Sequence, residues 1–396
     1  MGEKKESRSH LRKLFKIRNI LKIFLIITEN ALLLYRNRPH YFSQKSNSEE
    51  IVKIVKSIAK GVLLAGMVAG ASTVAIAGGH GFKCQVSEDS MAKPGGFPDR
   101  ALTMIVPYGP GGGSGQVAAA MAKAVTDLTS VDINRDHKPG GSGSVGTTAY
   151  MAMPADGYNV LEHIDDASSA HALDSSKVNP AVDLIPLVVS QVTFSQIYIR
   201  TNEDRFTDWK SFVSWVKAQG GKATIANVSA EGSMERVTMK FITDASGMEI
   251  QQISFDKGAP RYGALLGGQV DALFEQPGDV KKFLDAGNFK PILTIFNERP
   301  KAFADVPTHM EMGMDFEPLL RFRGFYVNAK APADRVKWLQ WAFQRAYCQD
   351  SYQKYNESKF MTVIDSYRDT EGAKKLINQS INQYREVYKQ MGMAVK

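Results

Sequence analysis

Long apolar runs are nearly missing from this chain. The uncharged stretch Gly61 to Ala77 has 17 residues rich in Gly, Ala, Ser and Thr, which is short and weakly apolar for a membrane span. Ile20 to Tyr35 is interrupted by Lys22 and Glu29, so it too makes a poor span. An excess of charge is missing from most of the chain as well. Residues 1–60 carry 14 Lys and Arg against 5 Asp and Glu, whereas the remainder carries 35 against 36. The net charge of +8 therefore belongs to the leader, and a nucleic-acid partner is excluded for the rest. Cysteine is scarce, with two in 396 residues. Cys84 follows Gly81-Phe-Lys83, which is no pattern for lipid acylation. In an oxidising compartment Cys84 and Cys348 can bridge. There is no G-K-[ST], so no P-loop. No Ser-His-Asp order offers a nucleophile with its base, and His137, His163 and His171 lack metal-ligand spacing. Residues 98–396 hold no repeat and no low-complexity segment.

The basic leader reads as an export signal. Lys53, Lys56 and Lys60 form a positive region ahead of Gly61 to Ala77, which ends in Ala75-Ile-Ala77, a small-x-small cleavage pattern. Residues 53–77 are thus expected to be a signal peptide, residues 1–52 an extension that is not native, and the folded protein periplasmic. Cleavage after Ala77 would expose Gly78-Gly79-His80, four nitrogens able to wrap Cu(II) or Ni(II) in a square plane; the plainer reading of residues 78–97 is a flexible tail.

Glycine is abundant and patterned. An apolar strand, Ala101 to Val106, enters a loop with five glycines among the seven positions Gly109 to Gly115, followed by the helix former Val117 to Val125. Strand, glycine loop and helix start make an anion site, because backbone N–H groups come close to a ligand and the helix end carries partial positive charge. A second glycine loop, Lys138 to Gly146, follows a short strand near Val131 to Asn134. Strands and helices alternate from there, with a helix beginning at Thr207-Asp-Trp, another after the loop Val228 to Ser233 with Ser233 as its cap, and a helical tail from Pro332 to about Phe360 and from Thr370 to Met393. In the last helix Ile377, Ile381, Tyr384, Tyr388 and Met391 recur at helical spacing as a buried stripe. This alternation predicts an α/β protein of two domains with largely parallel sheets and a ligand cleft between them.

The paired loops carry a resemblance to the Bug family of periplasmic solute receptors, the binding components of tripartite tricarboxylate transporters. The matching stretches are Phe97 to Tyr108 with Gly111-Gly-Gly-Ser114, Lys138 to Gly143, Ala155-Asp-Gly-Tyr158, Leu265 to Asp271 and Asp305-Val-Pro-Thr308. The resemblance implies a two-domain, type II, venus-flytrap fold that closes on a small carboxylate-bearing ligand and serves integral-membrane transporter subunits as a monomer, without cofactor. It implies a first domain of residues 98–199 plus 325–396, a second of 200–324, and chain crossings near Ile199 to Thr201 and Phe322 to Val327. Tyr108, Gly109, Pro110, Gly111, Gly112, Gly113 and Ser114 would hold a carboxylate with Gly140, Gly141, Ser142, Gly143 and Ser144. Asp165, Ser229, Ser233 and Gln276 would supply further contacts. The family usually has Asp where this chain has Gly115, which implies a more positive site and a ligand without an amine.

Other readings stay open. Gly113-Ser-Gly-Gln-Val-Ala118 fits the dinucleotide fingerprint G-x-G-x-x-A, although Pro107 to Gly112 intervenes between strand and motif, where a Rossmann turn is tight. A Rossmann-like NAD(P) oxidoreductase and a ligand-sensing interaction domain are therefore the alternatives. Arg321 and Arg323 alternate with Phe322 in a strand and face one side. Either they form a solvated face or hinge ion pair, or one guanidinium binds a distal carboxylate with Phe322 on the ligand body. Met310 and Met314, four apart in His309-Met-Glu-Met-Gly-Met314, suit Cu(I) by chemistry and core packing by spacing.

Overall fold

The computed structural model describes Val86 and residues 90–395 apart from Ser229. The leader, the signal segment, His80 and Cys84 lie outside the described residues. Among the described residues no helix is long and apolar enough to cross a membrane.

β1 (Leu102–Val106) leads through the glycine loop into α1 (Gly113–Thr129), and β2 (Ile133–His137), α2 (Ser144–Met151), β3 (Asn159–Ile164), α3 (Asp166–Ala172) and β4 (Leu184–Thr193) follow. A second series comprises β5 (Ser195–Arg200), α4 (Trp209–Ala218), β6 (Thr224–Asn227), α5 (Met234–Ser246), β7 (Gln251–Ser254), α6 (Gly258–Leu266), β8 (Ala272–Glu275), α7 (Lys281–Asp285) and β9 (Phe289–Ile295). β10 (Arg321–Asn328) then precedes α8 (Ala333–Tyr347), α9 (Asp350–Ser358) and α10 (Thr370–Gln390).

Two five-stranded sheets result, in the orders β2-β1-β3-β10-β4 and β7-β6-β8-β5-β9. Each has three parallel strands joined by crossover helices. In each, the strand arriving from the other sheet runs antiparallel, β10 in the first and β5 in the second. The sheets are therefore mixed rather than largely parallel: a strand that enters without a crossover helix is free to take the antiparallel pairing. Each sheet with its helices is called a lobe below.

The passage between sheets lies at Phe194, since β5 already pairs with β8 and β9 from Ser195 onward. The return precedes Arg321, because all of β10 pairs with β3 and β4. Both crossings differ from the positions expected at Ile199 to Thr201 and Phe322 to Val327. Continuous β propensity across Leu184 to Arg200 hides the change of sheet. One hydrophobic core nevertheless runs from Ile105, Leu161 and Val189 of the first sheet to Ile197, Phe274 and Leu293 of the second.

Helix boundaries follow local chemistry. Asp208 caps α4: its carboxylate accepts from Ser211 N at 2.8 Å, while the Ser211 hydroxyl accepts from Asp208 N. Such a cap contributes about 1 kcal/mol. The apolar face of α4 buries Trp209, Phe212 and Val216, each worth roughly 1.5–3 kcal/mol. In α10 the expected stripe is buried at Ile377, Ile381, Tyr384 and Tyr388, and Met391 packs at its edge. The tail helix expected from Pro332 to Phe360 divides into α8 and α9 at Cys348-Gln349. Met310 and Met314 do not share a face: Gly313 turns left-handed between them, so Met314 is buried and Met310 exposed.

Candidate functional site

The C-terminal ends of β1 and β3 and the N-terminal end of antiparallel β10 meet at one edge of the first sheet, as the pairing of Arg323 with Ile164 shows. The ends of β6, β7 and β8 form the matching edge of the second. The interlobe site lies between these edges, the usual ligand position in open α/β sheets.

From the first lobe, Tyr108, Gly109, Gly112, Gly113 and Ser114 line the cavity together with Arg321 and Arg323. α1 begins at Gly113, so its first amides point into the site. A Cβ on Gly113 would overlap Arg323 Nη2 and Asp279 Oδ2. The glycine thus admits an ion pair to the helix end. Gly115 answers another need: a Cβ there would overlap the Pro110 backbone. That overlap leaves no room for the Asp the resemblance leads one to expect.

Three guanidiniums organise the closed site. Arg323 Nη2 donates to Asp279 Oδ2 at 2.5 Å and to Gln276 Oε1 at 3.3 Å, and Nη1 to Gln191 at 3.0 Å. Arg321 donates to Asp165 at 2.7 Å, Asp166 at 3.0 Å and Glu235 at 3.3 Å. Arg261 donates to Glu235 at 3.1 Å and also pairs with Glu275. All three arginines are at most 3% exposed, so the solvated-face reading of Arg321 and Arg323 falls away. Glu162 is buried beside this group and faces Arg323 and Ser114. Six buried carboxyls (Glu162, Asp165, Asp166, Glu235, Glu275 and Asp279) therefore face three guanidiniums. The acids come from distant segments that the reading of Gly115 as the source of a more positive site did not take into account.

Burial drives the protonation of several of these groups. It lifts Glu162 to about 8, against attraction from Arg323. It lifts Asp165 to about 6 and Glu275 to about 7, opposed by Arg321 and Arg261 respectively. His163 is held down to about 4, again mainly by burial.

The second glycine loop is not part of the lining. The Tyr108 hydroxyl donates to Ser142 O at 3.2 Å and lies 3.3 Å from Asp166 Oδ2, and Gly143 packs beneath that hydroxyl. Gly140 and Gly141 shape this loop with positive φ, and Ser142 and Ser144 line a separate small pocket beside His163. In this closed arrangement the loop braces Tyr108. Pro110 and Gly111 line an outer pocket with His137 and Lys257. Asp165 is engaged by Arg321 and by the Tyr384 hydroxyl at 2.6 Å. Ser233 stands at the N-cap of α5 without a side-chain cap bond; its hydroxyl donates to Val228 O at 3.3 Å. Glu235 instead accepts from Val228 N at 2.6 Å. Phe322 packs into the core and does not line the cavity, because residues alternate along β10. Gln276 and Arg323 do line the cavity. Ser229 lies outside the described residues.

Sequence reasoning did not single out Arg261, Asp279, Gln191 or Glu162 as site residues, and it reached Glu275 only as the start of the second-domain loop Glu275 to Gly278 that the resemblance implies. Only Glu235 carried a signal, as an acid in the first turn of a helix after a polar loop. Away from the site, Cys348 at the end of α8 is disulfide-bonded.

The lobes are closed upon one another. Gln116 Nε2 donates to Asp279 O at 3.3 Å and Ala230 N to Ser142 Oγ at 2.8 Å. The cavity left between them is roughly 40 Å³, room for about three waters at about 10–15 Å³ each. A larger ligand must open the lobes or displace an internal ion pair.

Comparison with known proteins places this geometry. Residues 115–393 match the model of the tripartite tricarboxylate transporter family receptor. The chain is 28% identical to protein BugT of Bordetella pertussis over 221 residues, 55% of this chain and 67% of the relative. It is 20% identical over 257 residues to a protein of the tcbD-tcbE intergenic region of Pseudomonas sp., 63% of this chain and 74% of that one. Among solved structures, the periplasmic binding protein BugD superposes with a TM-score of 0.68 at 21% identity, covering 75% of this chain and 99% of BugD. MatC of Rhodopseudomonas palustris, solved with bound malate, gives 0.66 at 20% identity over 74% of this chain and 99% of MatC. The fold is therefore that of periplasmic binding proteins, and the chain belongs to the tripartite tricarboxylate transporter receptor family.

Proposed function

We propose that this chain is an exported, periplasmic solute receptor that closes its two lobes on a small organic acid and hands it to integral-membrane subunits of a tripartite tricarboxylate-type transporter. It acts as a monomer, without cofactor and without catalysis, and its signal is removed near Ala77. The observation that carries this reading is the placement of Arg323 against the N-terminus of α1, where Gly113 lets a carboxylate approach both. The Asp279 carboxylate occupies that position in the closed site and marks the chemistry the cradle accepts. Two structural neighbours are described with malate and with adipate bound, and both are organic acids. The loop between β1 and α1 spans Pro107 to Gly112, longer than the tight turn that holds a pyrophosphate. Ligand recognition then divides between backbone donors for the carboxylate and second-lobe side chains for the rest of the molecule.

A thermal-shift screen of the purified chain against an organic-acid library tests this. A ligand present at a hundred times its dissociation constant adds about 2.7 kcal/mol to stability. The proposal expects at least one organic acid to raise the melting temperature while NAD(H) and NADP(H) do not. The reverse outcome would establish the oxidoreductase alternative, and stabilisation by neither would favour the interaction-domain alternative.

A further inference from the structure

We propose that the ligand of this site carries a cationic group in addition to its carboxylate. This inference rests on the receptor reading above and specifies its substrate class.

Arg321 and Arg261 are each held by two or more acids. Arg323 differs: among the described residues its ion pair is with Asp279 alone, and its other partners are the neutral Gln191 and Gln276. Arg323 is thus the guanidinium a ligand carboxylate can take over. The carboxylate would enter the Gly113 cradle, where Asp279 now sits. Asp279 comes from the β8–α7 loop of the opposite lobe and is 5% exposed.

A diacid exchanges one carboxylate for another at Arg323. It takes Arg323 away from the buried Asp279, which keeps the charge of Lys359 nearby but, among the described residues, no ion pair with it, and it brings a second negative group towards Glu275. Breaking a buried pair on one side is strongly unfavourable, because the surviving charge has neither water nor partner. A ligand with an ammonium or guanidinium at its far end resolves this. Its carboxylate takes Arg323 and the α1 amides, and its cation takes Asp279, so one internal ion pair becomes two. The excess of buried acids over arginines favours the same ligand, since an added cation moves the closed site towards neutrality.

Calorimetric titration of the full chain at pH 8 with length-matched probes tests the inference: succinate against β-alanine, glutarate against 4-aminobutyrate, and adipate against 5-aminopentanoate. The expected result is that, for the best-fitting length, the amino acid binds at least tenfold more tightly than its diacid. Asp279→Asn should narrow that ratio to below threefold, weakening the amino acid and strengthening the diacid. A diacid that binds as tightly as its amino acid partner would overturn the inference, as would a ratio unchanged by Asp279→Asn. Binding by diacids with none by amino acids would overturn it while leaving the receptor reading intact. If no member of the set binds and the organic-acid library also gives no hit, both fall. The comparison between probes on the parent chain stands even if the variant fails to fold.

Discussion

Arg323 and Asp279 join the two lobes through a 2.5 Å ion pair that rests against Gly113 at the start of α1. The residues are 44 apart in sequence and belong to different lobes, Arg323 on β10 and Asp279 in the β8–α7 loop. Each is almost fully buried, so neither can lose its partner to water without the lobes separating.

Removing one partner should therefore cost far more than removing both. Arg323→Met leaves Asp279 unpaired and is expected to destabilise the chain by about 3–5 kcal/mol. Arg323→Met combined with Asp279→Leu should recover most of that loss. Urea denaturation of the parent, the single variant and the double variant measures the coupling, and a double variant no better than the single would disprove it.

Gly113→Ala adds a methyl where Arg323 and Asp279 now meet. Alanine is a good helix former, so α1 itself should gain slightly in stability. Organic-acid binding should fall at least tenfold, because the added methyl closes the cradle. The check is affinity and melting temperature measured together. Unchanged affinity would show that the carboxylate does not enter here.

The buried acids set a pH dependence. Glu162, near 8, and Glu275, near 7, lie well above the ordinary carboxyl values of 4.5, with burial as the main cause. The folded chain therefore keeps protons that the unfolded chain has lost, and stability falls as pH rises towards 8. His163 works in the opposite sense, but only below its ordinary 6.5. Between pH 6.5 and 8 the acids dominate, so the melting temperature should drop across that window. Glu162 faces Arg323 and Arg321 from β10, Ser114 from α1 and Asp279 from the second lobe. Glu162→Gln should flatten the slope, and a melting temperature that rises with pH would contradict this account.

Cys348 is disulfide-bonded, and the chain has one other cysteine, Cys84. We propose that these two pair, tying the segment before β1 to the end of α8. Cys348→Ser should cost about 2–4 kcal/mol, and reductant should reproduce the loss in the parent. Peptide mapping under non-reducing conditions should return the linked pair, whereas two free thiols would refute the pairing.

Much of the frame was readable from local pattern. The glycine loop between an apolar strand and a helix former, the Asp208 cap and the stripe on α10 each depend on a few neighbouring residues. The alternation of Arg321, Phe322 and Arg323 likewise gave the common side of the two arginines. It also implied that Phe322 faces the other way. The acids escaped notice because their meaning is non-local: Glu162, Glu235 and Asp279 reach the arginines only after two sheets have closed together. The antiparallel entries of β5 and β10 escaped for the same reason, since a strand's direction depends on where the chain has come from. Gly115 was read as a source of positive charge. Its reason is steric, a backbone contact with Pro110, and Asp279 supplies a carboxylate nearby from the other lobe.

The central claim is that a ligand carboxylate occupies the Gly113 cradle between the lobes. A crystal structure with the organic acid that most raises the melting temperature tests it most directly. The account predicts the carboxylate within hydrogen-bonding distance of the first α1 amides and of Arg323, with Asp279 displaced from Arg323 onto the ligand's cationic end. A ligand bound elsewhere, with the Arg323–Asp279 pair intact, would contradict it.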